Sequence, residues 1–230
     1  MKPSLSQLHT EPFTIEREWK HDGIPVLSAS VSVPRPTHSG SSPPRRIQRF
    51  YNLQAYAFLR YCNRWLFPES VSKYEAALEA SAPLPHFHAQ LSYRITYNEG
   101  GFWSLYTQSC EPDTAGSSFF FRHGDTWDLA TGYPIPLSSF FPPHTRWKSR
   151  LLELAAQEIQ KQEQAGTALY LPEWRRLLRR HLNPRNYYLT PDGIAFFFPM
   201  HSIAPSVERI PVFLLPYSET RLSPPTQTKA

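Results

Sequence analysis

The stretch Asn186–Tyr217, NYYLTPDGIAFFFPMHSIAPSVERIPVFLLPY, restricts the possible folds of this chain more than any other. Tyr187-Tyr188-Leu189 and Ile194–Phe198 are apolar, aromatic runs of strand length. Thr190-Pro191-Asp192-Gly193 between them has turn chemistry, since proline presets φ and glycine tolerates a positive one. A β-hairpin is predicted. A third run, Ile210–Leu215, follows a loop around Ala204-Pro205, so three strands can bury one greasy face that the remaining chain must cover. The 24 prolines against 9 glycines fit such a chain of short elements and stiff connections better than a helical bundle.

Upstream, the pattern alternates between two periods. Phe13–Trp19 and Ile24–Val33 alternate apolar and polar residues around a His21-Asp22-Gly23 turn and read as strands. Pro34–Pro44 is too rich in proline, serine and glycine for regular structure and is expected to be a flexible loop. From Arg45 the step changes: Ile47, Phe50, Tyr51, Phe58, Tyr61, Cys62 and Trp65 describe an aromatic helix stripe ending before Pro68, with a shorter helix over Ser70–Ala80. His86–Tyr97, an Asn98-Glu99-Gly100-Gly101 turn and Phe102–Gln108 form a hairpin, and Phe119–His123 and Thr126–Leu129, joined by Gly124-Asp125, form another pair. Helices return at His144–Gln164 and Pro172–Leu182.

The fold class is therefore α+β: an antiparallel sheet, made of the middle meander and the C-terminal hairpin as one layer, with the 47–65 and 147–159 helices packed over it. One domain over 13–217 is expected, between disordered ends at 1–12 and 218–230. Formal charge is +5, too sparse for a nucleic-acid arm. Two cysteines, Cys62 and Cys110, lack metal or redox spacing and read as free thiols. No apolar run reaches the roughly 20 residues of a membrane span, and residues 1–20 lack a signal-peptide core, so a cytoplasmic location is expected.

The order strand, T-P-D-G turn, aromatic strand, H-S-I-A-P and I-P-V-F strand resembles the C-terminal part of the RsiV/PdaC-like domain family. Asp128-Leu129-Ala130-Thr131-Gly132, with Pro136-Leu137 and Phe140-Phe141 beyond it, is similar to that family's D-L-x-T-G segment, and the resemblance runs roughly from Ser28 to Tyr217. Such domains occur in lysozyme-sensing anti-sigma factors and as accessory domains of peptidoglycan deacetylases. The resemblance implies this α+β fold and a lysozyme-like or cell-wall ligand. The chain departs from the family pattern at Glu111–Ser118 and Ser206–Arg209, both in loops.

Three constellations carry possible chemistry. Tyr97, Asn98, Trp103, Tyr106, His123 and Asp125, with Trp127 and Asp128 beside them, combine flat apolar rings with polar groups, which is how a protein or glycan ligand is held. Trp103, following a glycine-rich turn, is expected to be the exposed member, and Asp128 is expected to bond the turn before Gly132. His86-x-His88 could share a metal with His123 or His144, but no carboxylate or cysteine lies at ligand spacing, so neither metal nor other cofactor is expected. Arg175, Arg176, Arg179 and Arg180 give one helix a basic face that could meet nucleic acid or an anionic surface weakly; a solvated face is the plainer reading, and nucleic acid is not the expected partner. No nucleophile elbow, phosphate loop or H-E-x-x-H is present. The expectation is a non-catalytic binding domain; the alternative is a small enzyme using His123 with Asp125 or Asp128.

Overall fold

The computed structural model describes residues 7–37, 42–112, 118–205, 207 and 209–220. Residues 1–6, part of the expected loop at 38–41, the family-divergent positions 113–117, 206 and 208, and the end of the tail at 221–230 lie outside the described residues. The fold is α+β, with a six-stranded sheet in the order β1-β2-β3-β4-β5-β6 and a three-stranded sheet in the order β7-β8-β9. The strands are β1 (Thr10–His21), β2 (Ile24–Pro36), β3 (Phe87–Glu99), β4 (Phe102–Pro112), β5 (Ser118–Asp128), β6 (Tyr133–Pro134), β7 (Tyr187–Thr190), β8 (Gly193–Phe197) and β9 (Val212–Pro216). The helices are α1 (Ser42–Tyr61), α2 (Phe67–Glu79), α3 (Trp147–Ala165) and α4 (Trp174–His181). Two compact units divide the chain: 9–93 with 107–119, and 1–8 with 94–106 and 120–230.

In the first unit, β1 and β2 form a long antiparallel hairpin closed by Asp22 and Gly23, both at positive φ. The first strand starts at Thr10, inside the stretch expected to be frayed, and β2 continues into Pro36, beyond the expected loop boundary. The pair β2–β3 is parallel, Leu27 opposite Phe87 and Val31 opposite Leu91, which corrects the all-antiparallel expectation. The reason is the connection: α1 and α2 lie between these strands and return the chain to the end where β2 began. Ile47, Tyr51, Ala55, Phe58 and Cys62 bury one side of the helical segment, and α1 packs on β2.

That segment does not stop before Pro68. A π-helical turn, Cys62–Leu66, joins α1 to α2, with the Phe67 N–H bonding five residues back to the Cys62 carbonyl. Proline at the start of α2 lacks an N–H and would press on the carbonyl four residues earlier; the widened turn relieves both problems. Cys62 and Cys110 are free thiols. Burial, and then the charge of Glu111, push the Cys62 thiol up to about 12, which makes it an inert core residue.

In the second unit, α3 and α4 cover the three-stranded sheet with one apolar cluster: Leu151, Ala155 and Ile159 meet Trp174, Leu178, Phe196, Phe213 and Leu215. The hairpin β7–β8 forms as expected, with Thr190 opposite Gly193 around Pro191-Asp192. Gly193 is not the positive-φ residue of that turn. It is required instead by space, because a Cβ there would lie 2.3 Å from the Leu215 carbonyl oxygen.

The C-terminal hairpin forms its own sheet and is not a continuation of the meander. Gly124 explains part of this. It lies inside a continuous β5, not in a turn between two short strands, and a Cβ on it would come within 2.1 Å of the Tyr187 carbonyl oxygen. The strand thus approaches β7 backbone to backbone. Ser104 on β4 supplies the bond that a ladder would otherwise make, accepting from the Leu189 N–H at 2.8 Å.

Candidate functional site

Ser104 fixes the ground beneath the candidate residues. Its hydroxyl donates to the Asp125 carbonyl at 3.0 Å and accepts from Leu189 N–H and, at 2.8 Å, from the Thr126 hydroxyl. One donor and two acceptor positions are all a serine hydroxyl has, so this buried group is fully satisfied. The consequence is positional: β7 is held against β4 and β5, and Tyr188 comes to lie 5.0 Å from Tyr106, centroid to centroid.

Arg122 completes the arrangement. Period-two alternation along β5 puts it on the face opposite His123 and Asp125. Its guanidinium lies 4.1 Å from the Tyr106 ring centroid and 5.8 Å from that of Phe197, and one N–H donates to the Tyr188 hydroxyl at 3.4 Å. The tyrosine feels two cations, Arg122 and Arg94, which oppose the rise in its pKa that burial causes. Tyr106 and Arg122 remain half-buried, so this is a cation laid on aromatic rings at the protein surface.

His123 and Asp125 form a pair on the same strand. His123 Nε2 lies 3.1 Å from Asp125 Oδ1, with the carboxylate 8% exposed and the imidazole 37%. The hydrogen bond to Asp125 raises the histidine above its usual range; burial opposes it, the aspartate charge adds to the rise, and Arg185 pulls it back. The protonated imidazole is thereby favoured, and a buried carboxylate is neutralised by it.

The other candidates serve the fold. Trp103 is fully buried, which corrects the expectation that it is the exposed member; strand β4 begins at Phe102, and its alternation turns the next residue inward. Trp127 is buried too. Asn98 accepts from the Leu8 N–H at 2.9 Å and donates to the Leu8 carbonyl at 3.0 Å, imitating a strand partner for the N-terminal segment. Tyr97 packs against the helix-covered core. Asp128 bonds Ala130 N–H and the Thr131 hydroxyl, as expected of a turn residue. His88 is engaged by hydroxyls, Ser28 at 3.0 Å and Ser30 at 3.1 Å, and His86 is exposed. Sequence reasoning overlooked Arg122, although the signal was there: in F-F-F-R-H it shares the period-two face of Phe120 and Gly124.

Residues 138–218 match the model of a family described as a protein of unknown function, DUF3298. The matched residues hold α3, α4 and the three-stranded sheet. Two solved structures share the fold: a DUF3298-family protein from Bacteroides fragilis, at 12% identity over 97% of each chain with a TM-score of 0.60, and one from Pseudomonas aeruginosa PAO1, at 15% identity over 92% of each chain with a TM-score of 0.58. No curated protein matches the chain. Among the described residues no helix is long and apolar enough to cross a membrane.

Proposed function

We propose that this is a non-catalytic binding domain of the RsiV/PdaC-like kind, whose recognition surface is the bay formed by Tyr106, Arg122 and Tyr188, with the His123–Asp125 pair on the other face of the same strand. The observation that carries this reading is Arg122 stacked on Tyr106 and bonded to Tyr188. A guanidinium fixed in this way loses little freedom on meeting a carboxylate, and the rings beside it offer a flat apolar face. Arg94, whose charge also reaches Tyr188, adds positive charge around it. A ligand bearing carboxylates beside planar or sugar-like faces fits this chemistry. Among the ligands that the family resemblance suggests, peptidoglycan fragments have both features, while a basic lysozyme-like protein would meet like charge.

Calorimetric titration of soluble, carboxylate-bearing peptidoglycan fragments against neutral chitooligosaccharides tests this. The acidic fragments bind, the neutral ones do not, and Arg122→Ala weakens binding at least about tenfold, the order expected for one charged hydrogen-bonding partner. Equal binding of both sugars, or an unaltered Arg122→Ala variant, contradicts the reading. Turnover of the fragments that His123→Ala abolishes would favour the enzyme alternative.

A further inference from the structure

The unit formed by 9–93 and 107–119 carries a second surface, which the bay does not involve. Residues 42–66 contain five arginines, Arg45, Arg46, Arg49, Arg60 and Arg64, and no acidic residue. Along α1, Arg45, Arg49, Leu53, Tyr56 and Arg60 recur at steps of four, four, three and four, which places them on one stripe of the helix. All five are exposed, Leu53 at 58% and Tyr56 at 53%. The stripe lies away from the side that Ile47, Tyr51, Ala55 and Phe58 bury, so its apolar residues are not the margin of the core. In the π-helical turn that follows, Trp65 is 60% exposed with the Arg64 guanidinium 5.6 Å from its ring. Arg49, Arg60 and Arg64 have no ion-pair partner among the described residues.

We propose that this row is a docking surface for an anionic lipid bilayer, with the chain lying on the membrane and not spanning it. Charge complementarity selects a negatively charged occupant. Form selects among such occupants. The row runs straight for about 22 Å at 1.5 Å per residue, and the hollow on it, about 310 Å³ lined by Arg45, Gln48, Arg49, Asn52, Leu53 and Tyr56, is open and formed by side chains of α1 alone, so it does not enclose a compact ligand. Nucleic-acid bases would use Tyr56 and Trp65 but have no use for Leu53, an aliphatic side chain with no face to stack. A bilayer interface uses every member of the row: the guanidiniums bond the phosphate plane while Leu53 and Tyr56 enter the layer just beneath it. Arginine suits this place because its planar donors meet phosphate oxygens two at a time.

Flotation of the full chain with vesicles provides the test. Vesicles of phosphatidylcholine with about one third phosphatidylglycerol carry the protein upward, pure phosphatidylcholine vesicles do not, and raised salt releases it. The double variant Arg49→Gln/Arg60→Gln partitions about thirtyfold less, each cation near an anionic surface counting for roughly fivefold. Leu53→Ser weakens binding while leaving its salt dependence intact. These residues are exposed, so an unchanged melting temperature confirms that each variant is folded. Failure to bind the acidic vesicles, equal binding to neutral ones, or tight binding to a single-stranded oligonucleotide or an acidic peptide without vesicle binding overturns the proposal. Arg122→Ala, which disables the bay, leaves flotation unchanged; its loss there would overturn the separation of the two surfaces.

Discussion

Two arginine surfaces of this chain are built in opposite ways. In the bay, Arg122 is clamped by Tyr106, Phe197 and Tyr188. On α1, Arg49 and Arg60 are exposed, spaced by exposed Leu53 and Tyr56, with no acid within that stretch of sequence. The first arrangement is pre-organised, so its strength resides in geometry and suits one ligand shape. The second is loose, so its strength resides in summed charge and contact area and suits an extended surface. The difference also predicts how each responds to damage: the bay depends on the core beneath it, and the row does not.

Emptying the core of the unit that carries the bay has the largest effect. Trp103→Ala empties a fully buried site and lowers stability by about 3–5 kcal/mol, read by denaturant unfolding. Ligand binding is lost with it, whereas Leu53→Ser on α1 leaves the unfolding midpoint in place. If Trp103→Ala were neutral, the bay would not rest on the core.

Ser104→Ala comes next. It deletes three hydrogen bonds at a buried position and strands the Leu189 N–H, for about 1–3 kcal/mol. Because Leu189 is the neighbour of Tyr188, the variant also loosens the ring that receives Arg122, and affinity for the acidic fragments falls more than stability alone explains. Intact affinity would show that Tyr188 is positioned from elsewhere.

The smallest effect is a dependence on pH. His123 has a raised pKa in the folded chain, through Asp125 first, so its pairing contributes stability that is complete below the ordinary histidine value of 6.5 and is lost as pH rises through the higher, folded value. Melting followed by circular dichroism therefore shows a decline on going upward from pH 6.5, absent in Asp125→Asn. A wild-type profile parallel to that of Asp125→Asn would remove the pair from the picture.

Much of this was legible in the residues themselves. The T-P-D-G hairpin, the Asn98–Gly101 turn and the aromatic helix all appear where period and turn chemistry place them, and so does the fold class. What the sequence concealed is of one physical kind, backbone approach between segments distant in the chain. Gly124 and Gly193 read as turn residues because glycine is usually there for its φ; both are there because a carbonyl oxygen occupies the space a side chain would need. The same concealment hid the separate tail sheet. Around the proposed site, local pattern singled out Tyr106 but misjudged the exposure of Trp103, since a residue after a turn can face either way until the strand's partner layer is known. The cation on the rings was missed because stacking is set by side chains from β4, β5 and β7 together.

The most direct measurement is a crossed assay of two variants against two ligands, acidic peptidoglycan fragments by calorimetry and phosphatidylglycerol vesicles by flotation. Arg122→Ala is expected to lose the fragments and keep the vesicles, and Arg49→Gln/Arg60→Gln to keep the fragments and lose the vesicles. If either variant lost both ligands, or neither, the two surfaces would not be the independent binding sites that their construction implies.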